Sequence, residues 1–392
     1  MTFSRRVVAV AALVVSACGS PVTNVKLDTP APPTSAATDA QVTATPATPN
    51  PDATATPARP PASVLPNPTA TAGPTATATA IETPEGPPSW RELTPTGTTP
   101  GAREDHTWTV DGDGRAAYLF GGRTADGPSN ELWSFDLDAS SWTLLEPTGT
   151  APTARLGHTA TWVPEVGLVI WSGQGSDGFF ADVNVYNPGT NTWTELPSLG
   201  AAPDARYGSC ASLGPDGELW ISHGFTGSGR FSDTRSYDFA TGTWTDRTPV
   251  GEVPIQRCLH ECFWSNNRLI LYGGQTNGVA ALGDIWAYDV ASGTWAQGPE
   301  QQVPARQLYA LADDGDTAIV FGGGAIDGKY LGDTLRLDAA TLELSRIDRA
   351  GGPPIRSGAT LILDPVRARA LLFGGKDSDG VLGDTWELFT SP

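Results

Sequence analysis

A segment of about 50 residues recurs six times between Pro100 and Pro392, and the fragment absent from its last copy stands ahead of its first. Arg103, Arg155, Arg206, Arg257, Arg306 and Arg356 open the copies, at spacings between 49 and 52, each closely preceded by a proline. A small, glycine-rich slot follows 16 to 18 residues later: Gly121-Gly122, Ser172-Gly173, His223-Gly224, Gly273-Gly274, Gly322-Gly323 and Gly374-Gly375. Trp142, Trp193, Trp244 and Trp295 close four copies, and Leu344 takes that place in the fifth. The sixth ends before reaching it, and its counterpart is Trp90, 52 residues ahead of Trp142. Equivalent units at a fixed period must bury their surfaces on one another, which restricts the chain to repeat architectures.

Within each copy a continuous apolar run precedes the slot, as in Ala116-Ala117-Tyr118-Leu119-Phe120 and Gly167-Leu168-Val169-Ile170-Trp171. Such a run reads as a strand buried on both faces. A more alternating segment follows, as in Leu132-Trp133-Ser134-Phe135-Asp136. With the stretches after each arginine and around each tryptophan, this predicts four strands per copy, joined by turns such as Asp111-Gly112 and Asn187-Pro188-Gly189. A single four-stranded sheet cannot bury both faces until neighbours stack and the ring closes, so the expected fold is all-β, a six-bladed β-propeller. The Trp90 fragment supplies the ring closure.

The pattern Pro100-x-x-Arg103-x-x-His106, Gly121-Gly122, Trp133 and Trp142, repeated in register over roughly residues 87 to 392, resembles the kelch repeat family. The histidine slot holds Ser209, Tyr309 and Ala359 in copies three, five and six, and the double glycine is broken in copies two and three. The resemblance implies a kelch-type propeller whose two chain ends share one sheet.

Residues 1–17 read as a secretory signal peptide: Arg5-Arg6, then an apolar run over Val7 to Val15 that is shorter than the ~20 residues of a membrane span. Val15-Ser16-Ala17-Cys18 resembles the bacterial lipobox, which implies a lipidated Cys18 and a protein anchored in the cell envelope, in an inner or an outer membrane. Ser4-Arg5-Arg6-x-Val8 loosely matches a twin-arginine export signal. Residues 18–86 are mostly alanine, threonine and proline and read as a disordered tether. Residues 87–392 form the propeller. Of the net charge of −19, residues 1 to 89 contribute −1, from five acids and four bases, which leaves −18 on the propeller. That balance argues against nucleic acid and anionic lipid as partners. The membrane is reached through the N-terminal lipid alone.

Outside the cytoplasm two of the remaining cysteines can pair. Cys258 and Cys262 lie four apart on an extended stretch, about 13 Å between α-carbons, too far for a bridge. A disulfide from Cys210, in the preceding blade, to Cys258 or to Cys262 is therefore expected. The order Cys258-x-His260-x-Cys262 is not that of a known zinc finger. His106, His158 and His260 fill one repeat position and His223 replaces a slot glycine, which points to structural roles. No metal or cofactor is expected.

The arginine that opens all six copies is the strongest functional candidate. Equivalent positions of inner strands converge toward the axis, so Arg103, Arg155, Arg206, Arg257, Arg306 and Arg356 are candidate ligand-binding residues for anionic groups. The alternative is that each bonds to carbonyls and to an acid of its own or the next blade, with Asn130, Asp182, Asp233, Asp284, Asp333 and Asp384 as the repeated partners. No nucleophile elbow, phosphate loop, paired metal motif or carboxylate dyad stands out. The function expected is a monomeric, non-enzymatic binding module for a protein partner or for an anionic carbohydrate or peptide. The alternative is a carbohydrate-active enzyme, by resemblance to secreted kelch mutarotases of the sialic-acid type, with Glu104 or His106 moving the proton, or a galactose-oxidase-like protein.

Overall fold

A computed structural model describes residues 89–347 and 351–389. The signal peptide, the lipidation site Cys18 and the tether over 18–86 lie outside the described residues. Six antiparallel sheets follow the six copies. In blade one the inner strand Thr107–Val110 pairs with Ala116–Phe120, that with Leu132–Asp136, and that with the outer strand Ser141–Leu145. No helix occurs among the described residues.

The continuous apolar runs are explained by how the blades stack. Along Gly167–Trp171 alternate side chains serve two different cores: Leu168 and Ile170 pack with Phe120 and Leu132 of blade one, while Val169 and Trp171 pack with Leu219 and Ile221 of blade three. Six such inter-blade cores exist, one per junction. Every second strand is thus buried on both faces without breaking the period of two. The closing tryptophans belong to these cores: Trp193 joins blades one and two, and Trp244 joins blades two and three.

Two details exceed the four-strand expectation. Blades two and three gain a short parallel fifth strand, Thr148–Gly149 beside Trp193 and Leu199–Gly200 beside Trp244, formed by chain arriving from the preceding blade. This covers backbone groups on an otherwise open outer edge. In blades three and five the second and third strands run on past the slot, as Leu219–Thr226 with Gly229–Asp238 and Thr317–Gly324 with Tyr330–Asp338, each with a register shift at the slot.

Trp90–Leu93 closes the ring as expected, pairing antiparallel with Thr385–Phe389 in the register Trp90↔Leu388 to Leu93↔Thr385. Trp90 is buried, meets Phe321 edge-on at 5.2 Å, and donates from Nε1 to Thr334 Oγ1 of blade five at 2.9 Å. Arg91 Nε donates to the buried Glu387 at 2.7 Å. Glu387 also accepts from Arg369, which bonds Asp364 and, at 2.6 Å, the Leu137 carbonyl of blade one. The closure strand therefore feeds an ion network that spans blades six and one.

Candidate functional site

Each opening arginine lies in the connection that enters its blade, folded back against the slot. The slot residue adopts positive φ (63° at Gly121, 57° at His223), which turns its carbonyl toward the arginine. All six slot carbonyls accept from the arginine Nη1 at 2.9–3.0 Å. The second slot residue is glycine throughout because the next strand passes close. At Gly122 a Cβ would stand 2.6 Å from His106 Cβ and 2.9 Å from the Glu104 carbonyl.

The guanidinium groups are then completed by acids of their own blades. Arg155, Arg206, Arg257, Arg306 and Arg356 grip Asp182, Asp233, Asp284, Asp333 and Asp384 with both terminal nitrogens. In blade one the partner is not Asn130: Arg103 Nη2 bonds Glu131 Oε2 at 2.7 Å. Five of the six also donate from Nε to the carbonyl two residues back. All six side chains are buried and none lines the central cavity. The cationic ring expected at the axis is replaced by six intrablade ion pairs.

The residue two places after each arginine reaches the axis instead. Asp105, Gly157, Gly208, Leu259, Leu308 and Gly358 all have φ between 50° and 64°. Their backbones form a closed belt in which each N–H donates to the carbonyl of the preceding blade, at 2.8–3.1 Å. Below the belt the inner strands enclose a cavity of about 440 Å³. Asp105, Glu261 and Asp313 face this space, and no lysine or arginine is among its described lining residues. Glu261 and Asp313 stay accessible within this space.

The histidines behave as packing residues. His106 meets Phe373 edge-on at 5.4 Å, His158 meets Phe120 at 5.3 Å, and His260 meets His223 at 5.5 Å. Each contact wedges one blade against its predecessor. Burial first, then neighbouring arginine charge, holds His106 and His158 well below the ordinary imidazole range, so both are neutral at physiological pH.

Of the two bridges left open by the sequence, the structure joins Cys210 to Cys262, with 5.6 Å between α-carbons. The bond ties the inner strands of blades three and four. Cys258 is buried, with Gln275 Nε2 3.8 Å from its sulfur. Replacing Cys210 and Cys262 by serine is expected to lower stability by about 4 kcal/mol, the loop-closure value for a separation of 52 residues. Urea unfolding with and without reductant measures this, and equal midpoints would show that the bridge contributes nothing.

At the mouth beside the arginine turns, the residue after each arginine pairs with the residue two beyond the start of the slot. The pairs are Glu104↔Arg123, Leu156↔Gln174, Tyr207↔Phe225, Cys258↔Gln275, Gln307↔Gly324 and Ser357↔Lys376. Glu104 Oε1 lies 3.9 Å from Arg123 Nε and 3.6 Å from Lys376 Nζ. Next to it, Asp105 accepts a hydrogen bond from Tyr207 at 3.0 Å, across 102 residues of chain. Tyr207 reaches Asp105 by lying flat over Gly157, where a Cβ would come within 1.9 Å of its ring. Burial first, then the Glu104 charge, pushes the Asp105 carboxyl up to about 7, against the opposing effects of Tyr207, Arg123 and Lys376.

Six blades, the arginine-slot contacts and closure by the N-terminal strand define the class: a kelch-type β-propeller, a fold that generally serves as a protein-binding module. A family model described as the KLHDC2/KLHL20/DRC7 Kelch-repeats domain matches residues 83–274, and one described as the Attractin/LZTR1 beta-propeller matches residues 219–383. The chain is 28% identical over 226 residues to Kelch domain-containing protein 3 of Homo sapiens, covering 52% of this chain and 57% of that protein. It is 26% identical over 247 residues to Kelch domain-containing protein 2 of Bos taurus, covering 54% and 59%. With Kelch domain-containing protein 10 of Rattus norvegicus it shares 26% over 284 residues, covering 65% and 67%. It thus spans less than two thirds of the first two relatives.

Proposed function

We propose that this chain is an exported, lipid-anchored propeller that acts as a monomer and binds a protein partner at the mouth carrying Glu104, Arg123, Tyr207 and Lys376. The observation that carries the binding reading is the contrast between two sets of cations. The six opening arginines are buried and paired within their blades, whereas Arg123 and Lys376 are 37% and 33% exposed and touch one carboxylate oxygen at ion-pair distance. Amides at Gln174, Gln275 and Gln307 share that face, and exposed Val279 and Ile326 stand in the connections that follow the slots of blades four and five. Export is supported by the Cys210–Cys262 disulfide, which persists in oxidising compartments. Anchorage follows from Cys18 in its lipobox-like setting.

Two arms of one experiment in the native host test this. A photocrosslinking residue at Gln174 is expected to give a discrete protein adduct, and the same residue at Val366, in the turn after the inner strand of blade six, to give none. Cys18→Ser is expected to move the protein from the membrane fraction to the soluble one. Adducts only from Val366 would place binding on the other face, and unchanged fractionation would remove the anchor.

A further inference from the structure

We propose that the outer edge of blade four accepts an extended strand of a partner protein, running parallel to Thr294–Gln297 and carrying a glycine opposite Trp295. The inference concerns a second surface, on the rim of the propeller, and does not depend on binding at the mouth.

Other blades show what such an edge takes. In blade one Thr96 donates its N–H to the Ser140 carbonyl at 3.1 Å and accepts from the Trp142 N–H at 3.3 Å. Thr148–Gly149 and Leu199–Gly200 fill the same place on blades two and three, in parallel, with Gly149 opposite Trp193 and Gly200 opposite Trp244. Blade five meets the same demand without a strand: the Gln301 side-chain amide donates to the Leu342 carbonyl at 2.9 Å and accepts from the Leu344 N–H at 2.8 Å. The glycine has a steric cause. Gly97, Gly149 and Gly200 stand at φ of 85°, 82° and 72°, and a Cβ on them would come within 3.2, 2.3 and 2.6 Å of the Trp142, Trp193 and Trp244 carbonyl oxygens. The residue before it, threonine or leucine, is exposed and meets no such constraint.

Blade four has the edge without its occupant. Val250-Gly251 begins seven residues before Arg257, as Thr96, Thr148 and Leu199 stand seven before Arg103, Arg155 and Arg206. Yet among the described residues no hydrogen bond joins this dipeptide to Gly293, Thr294 or Trp295. Val250 is fully exposed, and beyond its chain neighbours nothing lies within 4 Å of a Cβ placed on Gly251. Blade three draws the segment off: Thr248 Oγ1 accepts from the Thr234 N–H at 3.0 Å and donates to the Thr234 carbonyl at 3.3 Å. Tyr288 registers the displacement. It bonds the Arg247 carbonyl, ten residues before Arg257, whereas Tyr237 bonds the Pro197 carbonyl, nine before Arg206. By repeat equivalence the Gly293 carbonyl and the Trp295 N–H are the acceptor and donor that Thr96 and Gln301 satisfy in their own blades. Left open, they offer an incoming backbone the two bonds by which a strand is added to a sheet.

Amide hydrogen exchange of the full chain, read by NMR, tests the edge, with the heptapeptide Glu-Pro-Thr-Gly-Thr-Ala-Pro, the sequence of residues 146–152, as the probe. In the free protein the Trp295 N–H is expected to exchange about tenfold or more faster than those of Trp142, Trp193, Trp244 and Leu344. Peptide at about ten times its dissociation constant should slow Trp295 about tenfold and leave the other four unchanged. The same peptide with valine in place of its glycine should slow it by less than about twofold, because the left-handed turn against the tryptophan carbonyl excludes a side chain. Three results would each overturn the proposal. Protection of Trp295 equal to that of the other four at every protein concentration means that Val250-Gly251 closes the edge itself. Protection that grows with protein concentration means that a second copy occupies it. No slowing at millimolar peptide, or equal slowing by the valine peptide, means that the edge takes no such strand.

Discussion

Deletion of residues 87–95 is expected to lower the thermal midpoint of the propeller by roughly 10 °C. Trp90 is buried between blades five and six, and a buried tryptophan removed from a core costs about 3–5 kcal/mol. At about 2–4 °C per kcal/mol for a domain of this size, that loss alone accounts for the shift. Two further effects act in the same direction. The deletion exposes the edge of Thr385–Phe389, whose backbone now pairs with Trp90–Leu93. It also removes Arg91 from Glu387, leaving that fully buried carboxylate with Arg369 as its remaining cation. Scanning calorimetry of the shortened chain measures the effect. An unchanged midpoint would mean that blade six is stable without its fourth strand.

Arg155→Ala is expected to cost about 3 kcal/mol, the lower part of the range for breaking a buried ion pair, because Asp182 keeps 26% of its side chain accessible and can recruit water. Four bonds disappear together: those to the Thr153 and Ser172 carbonyls and both to Asp182, along with the stacking of the guanidinium over Phe180 at 4.2 Å. Arg155→Lys should lose most of the same stability, since an ammonium cannot reproduce the planar fork. Neither substitution should alter the proposed partner binding at the mouth.

These pairs also set the acid limit of the fold. Burial raises the pKa values of Glu131, Asp182, Asp233, Asp284 and Asp384, but the guanidinium hydrogen bonds and charge outweigh it and hold all five below the ordinary carboxylate range. A depressed folded pKa gives stability that is present above the unfolded value of about 4 and lost as pH falls through the folded one. The propeller should therefore tolerate mild acid and lose stability steeply below pH 4.

The period, the strand pattern and the closure by Trp90 were legible because each answers a backbone demand that every blade repeats. The arginine contacts were half legible. Their recurrence showed that each blade needs the residue, and the acids 27 or 28 positions on showed a partner, but nothing in a linear chain says whether the side chain points along the blade or into the channel. In blade one, counting in register led to Asn130. Glutamate, one methylene longer than aspartate, reaches Arg103 from the next position. The mouth was not legible as a site. Arg123 and Lys376 occupy one repeat position in only two of six copies, where the others carry Gln174, Phe225, Gln275 and Gly324. Repetition marks what the fold requires, and the proposed binding face lies among the departures. The Tyr207–Asp105 contact, spanning 102 residues, depends on Gly157 leaving room, and only the assembled ring shows it.

The binding proposed at the mouth requires the repeated arginines to be spent inside their blades. A double-mutant cycle of unfolding free energies for Arg155→Ala, Asp182→Ala and the two combined tests this most directly. A coupling of about 2 kcal/mol or more is expected, because each partner loses most of its value without the other. A coupling near zero, with both single variants as stable as the wild type, would mean that the arginine is not engaged by its own blade and would return it to the list of groups open to a ligand.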